Sequence, residues 1–217
     1  MQKLVRFATL AGSMLLLAAC GRDVIEASQE AGVGLLVNRS ACPAVATPVF
    51  TNEITLFDPP SSRDANAIDV TAVITNIRST CGDAGDTIQA VATFEVQASR
   101  RRAEGPREVV LPYFATVLRA GNQIVSKEVN RVGLRFADGQ YRASTTGQAT
   151  ATISRAAATL PAEVEERLTA RRRAGDADAA IDPMSDPTVR AAVENATFDL
   201  LIGFQLEPQQ LEYNVTR

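Results

Sequence analysis

The stretch that decides the predicted fold is Ile-Gln-Ala-Val-Ala-Thr-Phe-Glu-Val-Gln-Ala, residues 88–98. Its even-numbered positions are all apolar, and its odd-numbered positions are polar except for Val91. Alternation of this kind is typical of a half-buried antiparallel strand, which turns one face to a core and the other to water. The sequence therefore predicts a β-sheet protein built around this strand.

Similar alternation predicts strands on both sides of this stretch. Residues 68–75 alternate in the same way, and residues 198–206 do so near the end of the chain. Residues 109–119 form a more apolar run. Within that run, Pro112 favours an edge strand or a bulge, because proline cannot donate a hydrogen bond to a ladder.

Two dipeptides between the predicted strands are typical of hairpin turns. Gly121-Asn122 and Asp138-Gly139 both offer residues that tolerate a positive φ, which the tightest hairpin turns require. The second dipeptide predicts that residues 141–153 pair with the strand before it. Both turns favour an antiparallel sheet.

A helical excursion is predicted at residues 160–195. Glutamates at the start of its first part and arginines at the end complement a helix dipole. Asp186-Pro187 then has the pattern of an N-cap followed by proline at the first helical position, which opens a second short helix. Because period two returns after residue 195, we expect both helices to interrupt one domain.

The number of predicted strands, about seven or eight, and the scarcity of long helices indicate a mainly β fold. We predict an antiparallel β-sandwich of the immunoglobulin or fibronectin type, with a short two-helix insertion before the last strand. A barrel with the same number of strands stays open as an alternative. This single domain is expected to occupy residues 42–217.

The first twenty residues have the features of an export signal. Lys3 and Arg6 precede an apolar stretch that is too short to span a bilayer as a helix. The next residues, Leu17-Ala18-Ala19-Cys20, resemble the lipobox of bacterial lipoproteins, in which an aliphatic residue and two small residues precede a lipidated cysteine. The alternative is a plain secretory signal in which Cys20 has no special role.

The lipobox resemblance implies how the chain is processed and where it resides. Residues 1–19 would be a signal peptide that is removed, and Cys20 would carry diacylglycerol and a further fatty acid such as palmitate. Residues 20–41 would then comprise the lipidated cysteine and a flexible tether to the membrane. Gly21 replaces the aspartate that favours inner-membrane retention in enterobacteria, so the resemblance implies the outer membrane, with the domain facing the periplasm.

The rest of the chain is similar, in the order of its short motifs, to small alphaproteobacterial envelope lipoproteins. The motifs are Cys42-Pro43, Cys81, Gly105-Pro106 and Pro112-Tyr113-Phe114. This resemblance implies a cell-envelope location and no particular activity.

Cys42 and Cys81 remain as a pair once Cys20 is assigned to lipid. A chain exported past the inner membrane enters an oxidising compartment, where disulfides form and persist. We therefore predict a structural Cys42–Cys81 disulfide, which would stabilise the fold by on the order of 4 kcal/mol in the chain-entropy estimate. Two unpaired thiols are the alternative.

Composition excludes several kinds of chemistry. The chain has no histidine, so serine–histidine and cysteine–histidine catalysis are excluded and the commonest zinc ligand is absent. A formal net charge of -3 argues against a nucleic-acid binder. No spacing singles out a carboxylate pair among the 25 acids, which leaves a carboxylate-dependent hydrolase as an open alternative. We predict a protein with no enzymatic activity, no cofactor and no nucleic-acid partner.

Two charged clusters are candidate binding sites. The aspartates between residues 176 and 186 lack the ligand spacing and the glycine turn of a calcium loop, so we predict an acidic loop and no metal site. Arg100, Arg101 and Arg102 form either an exposed loop or a contact for phosphate groups or an acidic partner. The second interpretation follows from the bidentate hydrogen bonding of guanidinium groups to such anions.

Together these features predict a non-enzymatic cell-envelope lipoprotein. Its membrane-anchored β-sandwich would act as a structural or protein-interaction module in the periplasm, with another envelope protein as its partner. The alternative is a small-molecule or lipid-binding module with an apolar pocket between the sheet and the two helices. The expected lining of that pocket is Val164, Leu168, Val189 and Val193.

Overall fold

The computed structural model describes residues 39–173, 175–177 and 179–217. The mainly β prediction is confirmed: the chain forms two four-stranded sheets, one of which is curled into a half-barrel, with short helices before the last strand. The chain divides into two compact units. The described residues of the smaller unit lie between positions 162 and 190, and the larger unit comprises residues 39–161 and 191–217.

Both sheets belong to the larger unit. In chain order, the strands are β1 (Ala44–Ala46), β2 (Glu53–Phe57), β3 (Ile68–Ala84), β4 (Thr87–Arg100), β5 (Arg107–Arg119), β6 (Gln123–Phe136), β7 (Arg142–Ser154) and β8 (Phe198–Phe204). The first sheet has the strand order β1-β8-β5-β6, and the second has the order β2-β3-β4-β7. In the described part of the chain, neighbouring strands are antiparallel except for β1 and β8, which are parallel.

Four short α-helices accompany the sheets in the described residues. They are α1 (Arg155–Ala158), α2 (Ala162–Thr169), α3 (Pro187–Asn195) and α4 (Pro208–Thr216), and 3-10 turns occupy Ala65–Ala67 and Pro183–Ser185. None of the helices in this part of the chain has the length and apolar character needed to cross a bilayer.

The core lies between the two sheets and centres on β4. As predicted, the apolar face of β4 is buried along the whole strand, from Ile88 to Ala98. Phe94 packs edge-on against Tyr113 of β5, with 5.0 Å between ring centroids. Because the Tyr113 hydroxyl also donates a 2.6 Å hydrogen bond to the Gln148 carbonyl of β7, this aromatic pair joins the two sheets.

The prediction that Pro112 marks an edge strand or a bulge was wrong. Strand β5 has β6 on one side and β8 on the other, and its register shift lies at Val117 and Leu118. However, β8 pairs only with residues 113–119 of β5, so Pro112 stands where that pairing ends. Its carbonyl accepts a hydrogen bond from the Gln205 N–H there. The N–H and C=O of a strand residue point to the same side, so the N–H that proline lacks would also have faced away from β6. Pro112 therefore does not interrupt the ladder between β5 and β6.

The two predicted hairpin turns have different outcomes. The turn between β5 and β6 is confirmed, with a positive φ at Ala120 (53°) and Gly121 (73°). Gly139 also adopts a positive φ, but the strands on either side of it, β6 and β7, belong to different sheets. The predicted pairing was therefore wrong, because Asp138-Gly139 reverses the chain without choosing the partner, and β7 pairs with β4 instead.

The predicted helical excursion is present, although its first helix is shorter than expected. Helix α2 ends at Thr169, before the arginines at 171–173. Helix α3 begins as predicted, since the Asp186 carboxylate accepts the Thr188 N–H at 2.7 Å and Pro187 occupies the first helical position. The C-terminal helix α4 was not predicted, although Glu207 and Gln210 form a capping box at its start.

Candidate functional site

The Cys42–Cys81 disulfide is confirmed by the structure. The two sulfur atoms are 2.05 Å apart, and the Cα atoms are separated by 6.0 Å. Cys42 lies two residues before the short strand β1, whereas Cys81 lies in β3, so the bond joins the two sheets covalently. A disulfide suggests an oxidising, extracytoplasmic location. Cys20 lies outside the described residues, so its lipidation stays a prediction.

Arg39 fixes the point where the described chain enters the larger unit. Its guanidinium donates a 3.0 Å hydrogen bond to the Ala158 carbonyl at the end of α1. It donates a second hydrogen bond to the carbonyl of Ala196, just after α3. A cation at these carbonyls is favourable because helix C-termini carry partial negative charge. The Arg39 side chain thus holds the end of the predicted tether to backbone carbonyls of the larger unit.

Arg100 is a buried structural residue. Its side chain is only 4% exposed, and its guanidinium lies 5.2 Å from the centroid of the Phe136 ring. The guanidinium donates hydrogen bonds to the carbonyls of Ala103, Gly105, Ala137 and Gln140, at 2.6–2.9 Å. Arg100 therefore differs from the exposed anion or partner contact that the sequence led us to consider, because it holds two loops together.

Arg101 and Arg102 are exposed and border a cleft of about 310 Å³. Arg102 forms an ion pair with Asp58 at 2.7 Å. Asp69, on the same cleft, is held by Arg107 through two hydrogen bonds of 2.8 and 2.6 Å. That bond from Arg107 lowers the pKa of the Asp69 carboxyl. With two carboxylates beside its guanidinium groups, this cleft has too little net positive charge to bind an anion strongly.

The aspartates between residues 176 and 186 mainly stabilise turns. Asp176 accepts the Arg173 N–H at 2.7 Å, and Asp182 accepts the Met184 N–H at 2.9 Å. Asp186 caps α3 and also binds Arg167 at 2.6 Å, which lowers the Asp186 pKa to about 2. Asp178 lies outside the described residues. Among the residues that are described, no three acidic or cysteine side chains converge as metal ligands.

The lining expected for an apolar pocket is largely buried. Val164, Leu168 and Val189, in the smaller unit, are buried, and Val193, in the larger unit, is half-buried. The pocket itself stays a prediction.

Sequence reasoning missed an exposed apolar surface of the larger unit, which lies on strand β6. This strand forms one edge of the first sheet, and every residue from Gln123 to Arg131 is exposed. Ile124, Val125 and Val129 are 68%, 53% and 55% exposed. The sequence offers only a weak indication of this strand, because polar residues occupy both faces of residues 123–131. In β4, by contrast, one face is entirely apolar from Ile88 to Ala98.

The backbone groups at this edge can be assigned from the register. Pro112 lies opposite Arg131, and its carbonyl points away from β6 towards Gln205. In an antiparallel ladder, opposite residues either bond to each other or both point away, and the two arrangements alternate. It follows that Lys127, Val129 and Arg131 direct their N–H and C=O groups to the open edge.

The side chains of these residues lie on the face of the sheet that carries Phe114, which we call the outer face. Val129 is directly opposite Phe114, and the Lys127 ammonium lies 5.3 Å from the centroid of the Phe114 ring. Arg131 is exposed on the same face, opposite Pro112. The open edge therefore offers a strand in which a cation, an apolar residue and a second cation follow at alternate positions.

Comparison of the chain with protein-family models, with curated proteins and with solved structures found no match. The functional argument therefore depends on the geometry of the described residues and on the motifs in the sequence.

Proposed function

We propose that this protein is a non-enzymatic cell-envelope lipoprotein that acts as a structural or protein-interaction module in the periplasm. In this proposal its two sheets form an immunoglobulin-like sandwich, and Cys20 anchors it to the outer membrane. The lipobox resemblance supports the anchor, and the Cys42–Cys81 disulfide supports an exported location. The absence of histidine from the sequence excludes the commonest catalytic designs.

The observation that carries the interaction role is the open edge of β6. Natural sheet proteins usually protect an edge strand, since its unpaired N–H and C=O groups invite pairing with another chain. Here nine consecutive exposed residues, Gln123–Arg131, combine that edge with exposed apolar side chains. Exposed apolar surface on a sheet edge is typical of a binding site for another protein.

The anchor is tested by the intact mass of the chain purified from bacterial membranes. We expect a protein that begins at Cys20 and carries the mass of diacylglycerol and fatty acid. The matched control, Cys20→Ser, should keep its leader and lose the lipid mass. An unmodified chain with residues 1–19 still attached would contradict the anchor.

The interaction role is tested by photocrosslinking in living cells. A benzoylphenylalanine is placed, one position at a time, at exposed sites on both sheets, including Val129 on β6 and Arg78 on β3. We expect at least one position to yield a reproducible adduct with one envelope protein, identified by mass spectrometry. Failure of every surface position to give a specific adduct would contradict the proposal.

A further inference from the structure

We propose that strand β6 binds an extended acidic segment of a partner protein as an added antiparallel β-strand. This inference rests on the proposed interaction role, and it specifies the surface, the binding mode and the chemistry of the partner. The segment is expected to carry an acidic residue, then an apolar residue, then an acidic residue at alternate positions.

The backbone of β6 supplies the binding mode. Lys127, Val129 and Arg131 direct their N–H and C=O groups away from β5, as the register with Pro112 requires. These groups lie within the exposed stretch Gln123–Arg131, so an incoming strand can reach them. Strand addition of this kind gains its affinity from main-chain hydrogen bonds and its specificity from alternate side chains.

The side chains of β6 supply the charge preference. In an added antiparallel strand, the residues that bond to Lys127, Val129 and Arg131 place their side chains beside them on the outer face. Opposite charges across strands are stabilising and like charges are destabilising. An acidic residue beside each cation and an apolar residue beside Val129 therefore complete the outer face, where Phe114 already contacts Lys127.

A second copy of this chain fits the edge less well. Along residues 123–131, the charged side chains on the outer face are Lys127 and Arg131, both of them cations. Pairing β6 with itself would place four cations on one face without an acid between them. The same cations discourage indiscriminate pairing of the edge, which is how natural sheets use lysine in edge strands. The charges therefore favour an acidic partner over a homodimer.

A synthetic peptide tests the binding mode directly. The probe is a nine-residue peptide of threonines with glutamate at its third and seventh positions and valine at its fifth. Added to the isotopically labelled chain with its disulfide intact, it should shift the amide signals of Lys127, Val129 and Arg131 and slow their hydrogen exchange. Methylating the peptide nitrogens at positions three, five and seven should abolish binding, because those amides face β6. Methylating positions four and six should leave it measurable, because those amides face away.

Charge reversal tests the preference for an acidic segment. The double variant Lys127→Glu/Arg131→Glu should bind the glutamate peptide about tenfold more weakly, because two attractions become repulsions. A peptide with lysine in place of both glutamates should bind this variant and fail to bind the native chain. That reciprocal result also shows that the variant is folded. The matched control is Arg78→Glu/Arg142→Glu, which has the same net charge as the double variant and changes two exposed residues of the other sheet. It should change the affinity for the glutamate peptide by less than about twofold.

Several results would overturn the inference. One is binding that is insensitive to methylation at all positions, since this would indicate charge attraction without strand pairing. Another is a set of shifted amides that lies outside β6, or a concentration-dependent protection of β6 in the chain alone, which would indicate a second copy. If cell crosslinks to an envelope protein arise from other positions but not from Val129, the inference fails while the interaction role stands. If no position gives a crosslink, the interaction role itself fails.

Discussion

Strands β4 and β6 have the same length of 14 residues, yet one is the centre of the core and the other an open edge. Strand β4 has β3 and β7 as neighbours, and its apolar face is covered by the other sheet. Strand β6 has β5 on one side, and its first nine residues are exposed on both faces. The difference shows that alternation in the sequence determines which side chains share a face, whereas the neighbouring strands and the opposite sheet determine whether that face is buried.

The largest expected difference between the two strands comes from truncating one apolar side chain in each. Phe94 is 1% exposed in the core, so Phe94→Ala should lower the free energy of unfolding by about 3–5 kcal/mol. Val129 is 55% exposed on β6, so Val129→Ala should change the free energy of unfolding by less than about 0.5 kcal/mol. Urea unfolding followed by circular dichroism measures both values. Similar losses for the two variants would mean that β6 is buried in the folded protein.

A second, smaller contrast comes from replacing one glycine with alanine in each region, next to the core of β4 and on β6. A Cβ on Gly147 of β7 would lie 2.3 Å from Cζ of Phe94, so Gly147→Ala should cost about 1–3 kcal/mol of stability through overpacking. A Cβ on Gly133 of β6 would meet only the flexible end of Glu108, at 3.3 Å. Gly133→Ala should therefore change the stability by less than about 0.5 kcal/mol, in the same urea measurement. An unaffected Gly147→Ala variant would contradict the close packing of Phe94 on β7.

The smallest effect concerns the acid range of pH. Asp69 of β3 binds Arg107 of β5, and this bond lowers the Asp69 pKa in the folded chain. Its ionised form therefore stabilises the fold above the unfolded-state pKa of about 4, and this contribution disappears as the pH falls through the lower, folded-state value. We expect Asp69→Asn to be less stable than the native chain at neutral pH and to approach it in acid.

The matched control for this pH experiment is Glu128→Gln, which removes a carboxylate from the exposed stretch of β6. Thermal unfolding between pH 2 and 7 measures all three chains. Because Glu128→Gln keeps the pair between Asp69 and Arg107, only the Asp69→Asn curve should converge with the native one in acid. A constant offset between Asp69→Asn and the native chain at every pH would contradict the role of the Asp69 charge.

The sequence predicted the elements that depend on local pattern. The period of residues 88–98 fixes the buried face of β4, and Asp186-Pro187 is sufficient for the start of α3. Helix α4 also begins at a local motif, a capping box of Glu207 and Gln210, but it was not predicted because the usual capping-box pattern starts with serine or threonine. In these cases the residues that matter lie within a few positions of one another.

Features that depend on distant parts of the chain could not be predicted. Arg100 is buried because carbonyls from residues 103–105 and 137–140 converge on its guanidinium, and no local pattern reveals those acceptors. In the same way, Asp138-Gly139 specifies a reversal of the chain but not the sheet that receives β7. The exposed edge of β6 could not be predicted either, because it depends on the strand order, in which β6 comes last in its sheet.

The bond between Cys42 and Cys81 also has a mechanical consequence. A pull on the chain from its N-terminal side reaches the Arg39 hydrogen bonds first and then the sulfur atoms. Tension continues from there into β3, which is paired with β4 from Val70 to Ala84, and it bypasses β1, which is held to β8 by only three residue pairs. If the protein is tethered as proposed, movement of the membrane relative to the partner would stretch a covalent link while the weakest strand pairing in the sheet stays unloaded.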